Sequence, residues 1–391
     1  MARNDVAIYL PATAGLYNRN VQRASGAEQQ MALLARALAE RGYRVAQIVY
    51  PVADPVPLPP LLTLVERRRH QIGDRSPLGP IREALETWGA LSLADAEIVV
   101  LRKRTAALAV AALFCRLRRR RLIFSSANDY EFLHDHFADG RARRALYSFG
   151  VRSADVVVVQ SEGQLALARR AFPHLRRLVR LPSFVERVPH PSGTETEPEA
   201  RAFLWIGRMV DYKEPLRYIE LARALPAARF LMVPIVDVSE PDSPLLPAVA
   251  AAPDTTPNLH LLDPLPHAAM LDLIGKSLAV VNTSRFEGMP NVFLEAWARG
   301  IPALTLEFDP DGVIARHGLG VAAGGSWERF LAGARELWAN WAERDELSNR
   351  TRSYIDRVHS YDAVSKLWQE LIGDVLGEAN EPDASVDVRA L

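Results

Sequence analysis

Val280–Thr305 reads VVNTSRFEGMPNVFLEAWARGIPALT. Leu278 to Val281 is an apolar run long enough for a buried strand. Thr283 to Asn291 is a polar turn. Val292 to Arg299 predicts a short helix, with Gly300 at its C-terminal cap. Pro302 leads into a second apolar run, so the stretch is a strand–loop–helix–strand unit of an open parallel sheet. Ligands of such sheets bind beyond the carboxyl ends of the strands, where these loops lie. Two carboxylates, Glu287 in the loop and Glu295 in the first turn of the helix, are spaced E-x7-E. Asn291 is the expected N-cap. That would turn the amides of Met289, Asn291 and Val292 outward as an anion site. Amides take a phosphate and carboxylates accept hydrogen bonds from sugar hydroxyls, which together suit a sugar nucleotide. An isolated E-x7-E has a simpler account: Glu295 complements the helix dipole and Glu287 is a solvated loop residue.

The residues around the two glutamates decide between these readings. S-R-F-E-G-M-P-N-V-F-L-E-A-W-A-R-G-I-P closely resembles the donor-site segment of the retaining family-4 (group 1) glycosyltransferases, which have the two-domain GT-B fold. The resemblance implies that Glu287 contacts hydroxyls of the donor sugar and that Glu295 holds the ribose. It also places Gly288, Met289, Pro290, Asn291 and Val292 along the donor.

The start of the second half carries a second element. Phe203 to Ile206 predicts a strand ending in Gly207-Arg208. Asp211, Tyr212 and Lys213 make the loop, and Glu214-Pro215 opens a helix to about Leu225. Arg208 and Lys213 are two cations beyond a strand end, either solvated at a turn or placed for a diphosphate. G-R-M-V-D-Y-K resembles the family's G-R-x4-K element, which implies that Gly207, Arg208 and Lys213 bind the diphosphate. Asn258 to Leu262 is a strand followed by Asp263-Pro264-Leu265-Pro266. By the same resemblance, main-chain groups near Leu265 read the base. Pro234 stands where family members often have a glycine after the Ala228–Val233 strand.

The first half opens in the same β–loop–α–β manner. Val6 to Leu10 is a strand and Pro11 to Arg23 a polar loop. Ser25 and Glu28 form a capping box for a helix to about Arg41, and Tyr43 to Tyr50 is the next strand. Gly26 either serves the cap or admits a phosphate. The family's G-G-x-E element sits here and contacts donor phosphates, with Ser25 replacing its first glycine. Pro51 to Pro80 reads as a long loop with one short helix. Further strands are expected at Ile98–Leu101, Leu122–Ser125, Asp155–Gln160 and Leu178–Leu181, and a helix at Thr105–Arg116. Asn128 follows the Leu122–Ser125 strand where many members have a histidine facing the donor. It can donate a hydrogen bond but carries no charge. His134 and His136 do not share a helix face and are read as surface residues. Pro182 to Glu199, poor in apolar residues, is the expected linker.

The composition fits this organisation. The chain has 391 residues, 49% hydrophobic and 24% charged, enough for two full cores. One cysteine, Cys115, rules out an internal disulfide framework and fits a reducing compartment. MARNDVAIYLPATAG has no signal-peptide apolar region of useful length, and no apolar run approaches a membrane span. A cytoplasmic location follows as an expectation, with the inner face of the plasma membrane as the refinement. Residues 1–185 carry a net charge of +12 and the remainder −12, so the first half is expected to meet an anionic partner. Arg116 and Arg118–Arg121 either complement a helix end or touch anionic lipid headgroups.

The expected architecture is therefore α/β: two Rossmann-like domains facing an interdomain cleft, with a C-terminal helix crossing back to the first domain. Residues 1–185 would bind the acceptor and 186–358 the nucleotide-sugar donor. Residues 359–377 would be the crossover helix and 378–391 a frayed tail. The implied activity is transfer of a sugar from a nucleotide-diphosphate sugar to a saccharide or lipid-linked acceptor. Retention of configuration follows by family analogy, and polysaccharide or glycolipid assembly is the expected setting. Glu287, Arg208 and Lys213 would carry the reaction. No cofactor is expected, no D-x-D metal motif is read, and the cation pair would stand in for a metal. Nucleic acid is not an expected partner, because the basic residues lack interleaved aromatics. A nucleotide-sugar epimerase of the same fold and a catalytically silent binding or scaffold protein are the alternatives.

Overall fold

The computed structural model of the chain describes residues 3–19, 25–67, 78–133, 140–186, 201–236, 243–340 and 344–377. Two compact units are present, Met1–Phe184 with Tyr361–Leu391, and Val185–Ser360. The expected linker falls almost wholly outside the described residues, as do His134, His136 and the tail from 378.

The first unit is built on seven parallel strands: β1 (Asn4–Tyr9), β2 (Val45–Val49), β3 (Leu62–Glu66), β4 (Ala96–Arg102), β5 (Arg121–Ser125), β6 (Val156–Val159) and β7 (Leu178–Arg180). Their order is β3-β2-β1-β4-β5-β6-β7. Central strands such as β6, VVVV, are buried on both faces and so read as unbroken apolar runs. Helices α1 (Gly26–Glu40), α2 (Gly79–Ala94), α3 (Ala107–Arg118), α4 (Arg141–Ser153) and α5 (Glu162–Ala171) cover the sheet. One face packs Ala90 and Leu91 of α2, Leu108 and Phe114 of α3, Tyr147 of α4 and Ala168 of α5. The other packs Met31, Leu34 and Leu38 of α1. Ser25 precedes α1, and its main-chain N–H donates to Glu28 Oε2 at 2.8 Å, completing the predicted capping box.

Two expectations fail here. Pro51–Pro80 is not a plain loop: Leu62–Glu66 pairs with β2 as the sheet's edge strand, its short pattern masked by the proline-rich run before it. Pro11–Tyr17 is a 3-10 helix rather than a polar loop, with Pro11, Thr13 and Tyr17 buried.

The second unit has six parallel strands, β8 (Phe203–Arg208), β9 (Phe230–Ile235), β10 (Leu259–Leu261), β11 (Ala279–Asn282), β12 (Ala303–Thr305) and β13 (Gly320–Ala322), in the order β10-β9-β8-β11-β12-β13. Renumbered from its own first strand, this is 3-2-1-4-5-6, the doubly wound order of dinucleotide-binding sheets, and the first unit has it too. Helices α6 (Pro215–Ala224), α7 (Leu246–Ala250), α8 (Ala252–Thr255) and α12 (Trp327–Ala339) cover one face of the second sheet. Helices α9 (His267–Lys276), α10 (Asn291–Trp297), α11 (Val313–His317) and α13 (Arg344–Val358) cover the other. Pro234 lies inside β9, register partner of Gly207, rather than in a loop after it.

The last helix, α14 (Tyr361–Leu376), belongs to the first unit. Its Tyr361, Val364, Trp368 and Leu371 pack in the same cluster as α1. Arg41 fixes the pairing by donating to Gln369 Oε1 at 2.6 Å and to the Asp362 carbonyl at 3.0 Å.

Candidate active site

In a doubly wound sheet the strand order reverses between the first and fourth strands, and the loops leaving them diverge to open a crevice. In the second unit these are β8 and β11, and the end of β8 and the loops beyond the two strands hold Arg208, Lys213 and Glu287. Lys213 Nζ donates to Glu287 Oε1, and Ser284 Oγ donates to the same oxygen at 2.9 Å. Both members of this ion pair are mostly shielded, with 17% and 13% of their side chains exposed. The loops are tied beneath it: Thr283 Oγ1 donates to the Lys213 carbonyl at 2.7 Å and Trp205 Nε1 donates to Thr283 Oγ1 at 3.0 Å. Arg285 N donates to the Tyr212 carbonyl at 2.9 Å, and the Arg285 guanidinium pairs with Asp211.

Arg208 is the last residue of β8 and is exposed. It donates to Tyr212 Oη at 2.5 Å. Tyr212 stacks on Phe286, centroids 4.9 Å apart, so the aromatic pair bridges the two loops and steadies the arginine. Gly207 is required by packing: a Cβ there would stand 2.7 Å from the Trp205 ring. Two cations and a held carboxylate at one strand end can bind a diphosphate and a neighbouring hydroxyl together.

The start of α10 departs from expectation. Asn291 is the first helical residue, and Pro290 occupies the cap position without a side-chain cap hydrogen bond. Phe293 N donates to the Pro290 carbonyl at 3.0 Å. The fixed φ of Pro290 replaces a polar cap. Glu295 consequently lies in the second turn, not the first. Gly300, with φ +79°, ends the segment as predicted. Glu295 does not join the Lys213–Glu287 group by any contact shown. It lies with His267, whose Nε2 is 3.9 Å from Glu295 Oε1, and with Arg299, whose Nη1 donates to the Glu295 carbonyl at 2.9 Å. Burial pushes the Glu295 carboxyl up to about 7, while Arg299 opposes and Glu186 adds to the rise. Burial lowers His267. Leu265 is half-buried in the coil just before His267 opens α9. Sequence reasoning missed His267 and Arg299, although Arg299 stands four residues after Glu295, one helical turn away.

Gly26 and Asn128 belong to the first unit and are described there. Gly26 is the first residue of α1. Lys103, beyond the end of β4, has φ +74° and reaches Ser25 Oγ at 3.1 Å and Glu28 Oε1 at 3.2 Å. This lysine, also missed, stands at that unit's strand-order reversal. Asn128 follows β5, and its Oδ1 is shielded from solvent with no hydrogen-bond partner among the described residues. Glu131 anchors its loop, accepting from Ala127 N at 2.9 Å, and Gln160 donates to the Ser126 carbonyl at 2.8 Å. Burial raises Glu131 to about 7 and lowers Arg102 to about 10.

Among the described residues, no group of three or more His, Cys, Asp or Glu is placed to hold a metal ion. A D-x-D spacing does occur, at Asp309–Asp311, correcting the reading that there is none. Asp309 accepts from the main-chain N–H groups of Ile314 at 2.9 Å and Ala315 at 3.1 Å, and so caps α11.

Residues 25–183 match the model of a glycosyl transferase 4-like domain, and residues 191–354 match that of the glycosyl transferases group 1. The chain belongs to the group 1 glycosyltransferases. Its fold is that of GT-B enzymes. This glycosyltransferase is similar to sucrose-phosphate synthase from Thermosynechococcus elongatus, with TM-score 0.72 and 15% identity over 97% of this chain and 100% of that one. It is similar to HepE from Anabaena in complex with UDP-glucose, with TM-score 0.69 and 12% identity over 96% and 100%. It is also similar to WaaG, a glycosyltransferase involved in lipopolysaccharide biosynthesis, with TM-score 0.66 and 16% identity over 95% and 100%. Among the described residues, no helix of the glycosyltransferase is long and apolar enough to cross a membrane.

Proposed function

We propose that this glycosyltransferase moves a hexosyl group from a nucleotide-diphosphate sugar to a hydroxyl of a saccharide or lipid-linked acceptor, with retention of configuration. The setting is polysaccharide or glycolipid assembly, in the cytoplasm at an anionic membrane face. The observation that carries the reading is the Lys213–Glu287 pair, with Arg208 held by Tyr212, at the strand-order reversal of the second unit.

In the proposed reaction the bond from the anomeric carbon to the donor diphosphate oxygen breaks. A bond to the acceptor oxygen forms on the same face. The diphosphate leaves with the electron pair, and its oxygen takes the acceptor's proton. Arg208 and Lys213 meet the charge growing on that oxygen, so they bind the transition state more tightly than the ground state. Removing one such contact costs on the order of 3 kcal/mol, about a hundredfold in rate. In this scheme the fixed cations do the work of a metal ion. Glu287 accepts from hydroxyls of the sugar, Glu295 from the ribose, and main-chain groups near Leu265 meet the base.

Thermal unfolding against UDP, GDP, ADP, CDP and dTDP tests the donor site. A diphosphate at 100 times its Kd adds about 2.7 kcal/mol to the native state. A rise with one base, lost in Arg208→Ala, is expected. Glu287→Ala and Arg208→Ala should abolish transfer with the fold intact. Near-normal turnover in either would overturn the assignment. A rise with no turnover on any acceptor would point instead to a silent binding protein, and sugar isomerisation without an acceptor to an epimerase.

A further inference from the structure

Eleven large apolar side chains stand exposed among the described residues, and eight lie on three neighbouring helices of the first unit. Leu78 opens α2, and Ile81, Leu85 and Leu93 continue along it. Leu113 and Leu117 are on α3, and Leu146 and Phe149 on α4. Helix α3 packs against both of the others, on the sheet face away from α1 and α14. The positions are periodic. Ile81 and Leu85, and Leu113 and Leu117, are four apart; Leu146 and Phe149 are three apart. Each set shares one helix face. On α2 the opposite face carries the buried Thr87, Ala90, Leu91 and Ala94. Exposure is substantial, at 74% for Leu93 and 64% for Leu117. Single exposed leucines are ordinary, but a concentration of them marks a contact surface.

Charge identifies the partner. Helices α3 and α4 together hold Arg116, Arg118, Arg141, Arg143, Arg144 and Arg152 and no acidic residue, and α2 adds Arg82 with Glu83 and Glu86, which lie beside Arg67. Arg119 follows α3 as its left-handed cap. Apolar and basic residues mixed on the outward faces of helices are the make-up of segments that lie in a lipid interface, and arginines near an anionic surface each add to binding. A second copy docked face to face would set seven arginines and two glutamates against the same set, a net positive face against itself, which opposes self-association.

We propose that the outer face of α2, α3 and α4 is the surface by which this glycosyltransferase lies on an anionic bilayer. The arginines meet headgroup phosphates, and Leu113, Leu117, Leu146 and Phe149 enter the acyl boundary. The inference rests on the proposed membrane-side reading and gives that contact its residues.

The test uses the full chain and vesicles of phosphatidylcholine alone or with 30% phosphatidylglycerol, at low and high salt. Co-sedimentation is expected with the anionic vesicles only, weakening as salt rises. Leu117→Ser with Phe149→Ser should lower partitioning about tenfold, and Arg116→Ser with Arg118→Ser about fivefold per arginine, or ~1 kcal/mol each. These exposed substitutions should leave Tm and the UDP-series stabilisation unchanged. Leu117→Ala with Phe149→Ala serves if the serine pair lowers Tm. Absence of wild-type partitioning at low salt would overturn the proposal, as would undiminished partitioning in both variants. A dimer lost in the leucine–phenylalanine variant, with no vesicle binding, would reassign the face to self-association. Vesicle binding without any nucleotide stabilisation would instead remove the transferase reading and leave the surface standing.

Discussion

Replacing Lys213 by Met and Glu287 by Gln, singly and together, separates a structural ion pair from a working one. Both side chains are largely shielded from solvent, and Ser284 is the other donor shown to the paired Glu287 oxygen. Lys213→Met leaves a carboxylate in that setting with one hydroxyl donor; Glu287→Gln leaves the ammonium facing an amide. Breaking a fully buried pair from one side costs roughly 3–5 kcal/mol. With 17% of the lysine and 13% of the glutamate side chain still wet, ~2 kcal/mol per single variant is the discounted figure. The double variant removes both charges, so a coupling of about 1–3 kcal/mol should return and stability should approach the wild-type value. Turnover should behave otherwise. The lysine's transition-state contact and the glutamate's hydroxyl contact are both missing from the double variant, so the rate should stay at least about a hundredfold down. Urea unfolding at constant pH gives the first quantity, and initial rates on the nucleotide sugar found by thermal stabilisation give the second. Recovery of turnover together with stability would refute the reasoning, because the pair would then only be bracing two loops.

Three further outcomes follow from the same geometry. Glu295, raised to about 7 by burial, holds a proton in the native state that the unfolded chain releases. Its stabilising effect is therefore complete below about pH 4.5 and is lost as pH rises to about 7; with a fifth of the side chain exposed, the loss is ~1–2 kcal/mol. Glu295→Gln should flatten that part of the urea-midpoint profile, and an unchanged slope would show that Glu295 does not titrate there. Tyr212→Phe removes the hydroxyl that Arg208 meets while keeping the stack on Phe286, so diphosphate affinity by calorimetry should fall about fivefold, ~1 kcal/mol. Gly300→Ala forces a side chain onto φ +79° with Ser348 Oγ 1.9 Å from the new Cβ, so Tm should drop by an amount equivalent to ~2 kcal/mol or more.

What the sequence made legible was what depends on short-range pattern. DVVVVQ could only be a strand buried on both faces, and S-x-x-E marked the start of α1 to the residue. The placement of Arg208, Lys213 and Glu287 at strand ends was legible because Arg208 closes β8 and the other two sit in the loops beyond, where packing asks little of side-chain identity. The errors arose where a long-range partner decides the outcome. Leu62–Glu66 has only five residues, closely preceded by a run of prolines, and becomes a strand because β2 offers it a free edge. Asn291 looked like a cap by residue type. Pro290, one position earlier, already fixes the backbone that a cap would fix, and Glu295 shifts by one position, from the first turn into the second. His267 and Lys103 left no signal in spacing because each lies far along the chain from the group it meets. Lys103 reaches Ser25 across 78 residues, and only the strand order that sets β4 beside β1 brings the two together. The same order sets β11 beside β8. The pairing of Lys213 with Glu287 is thus a property of the doubly wound sheet as much as of either loop. A variant that shifted the β8–β11 register would be expected to lose the site while keeping every residue in it.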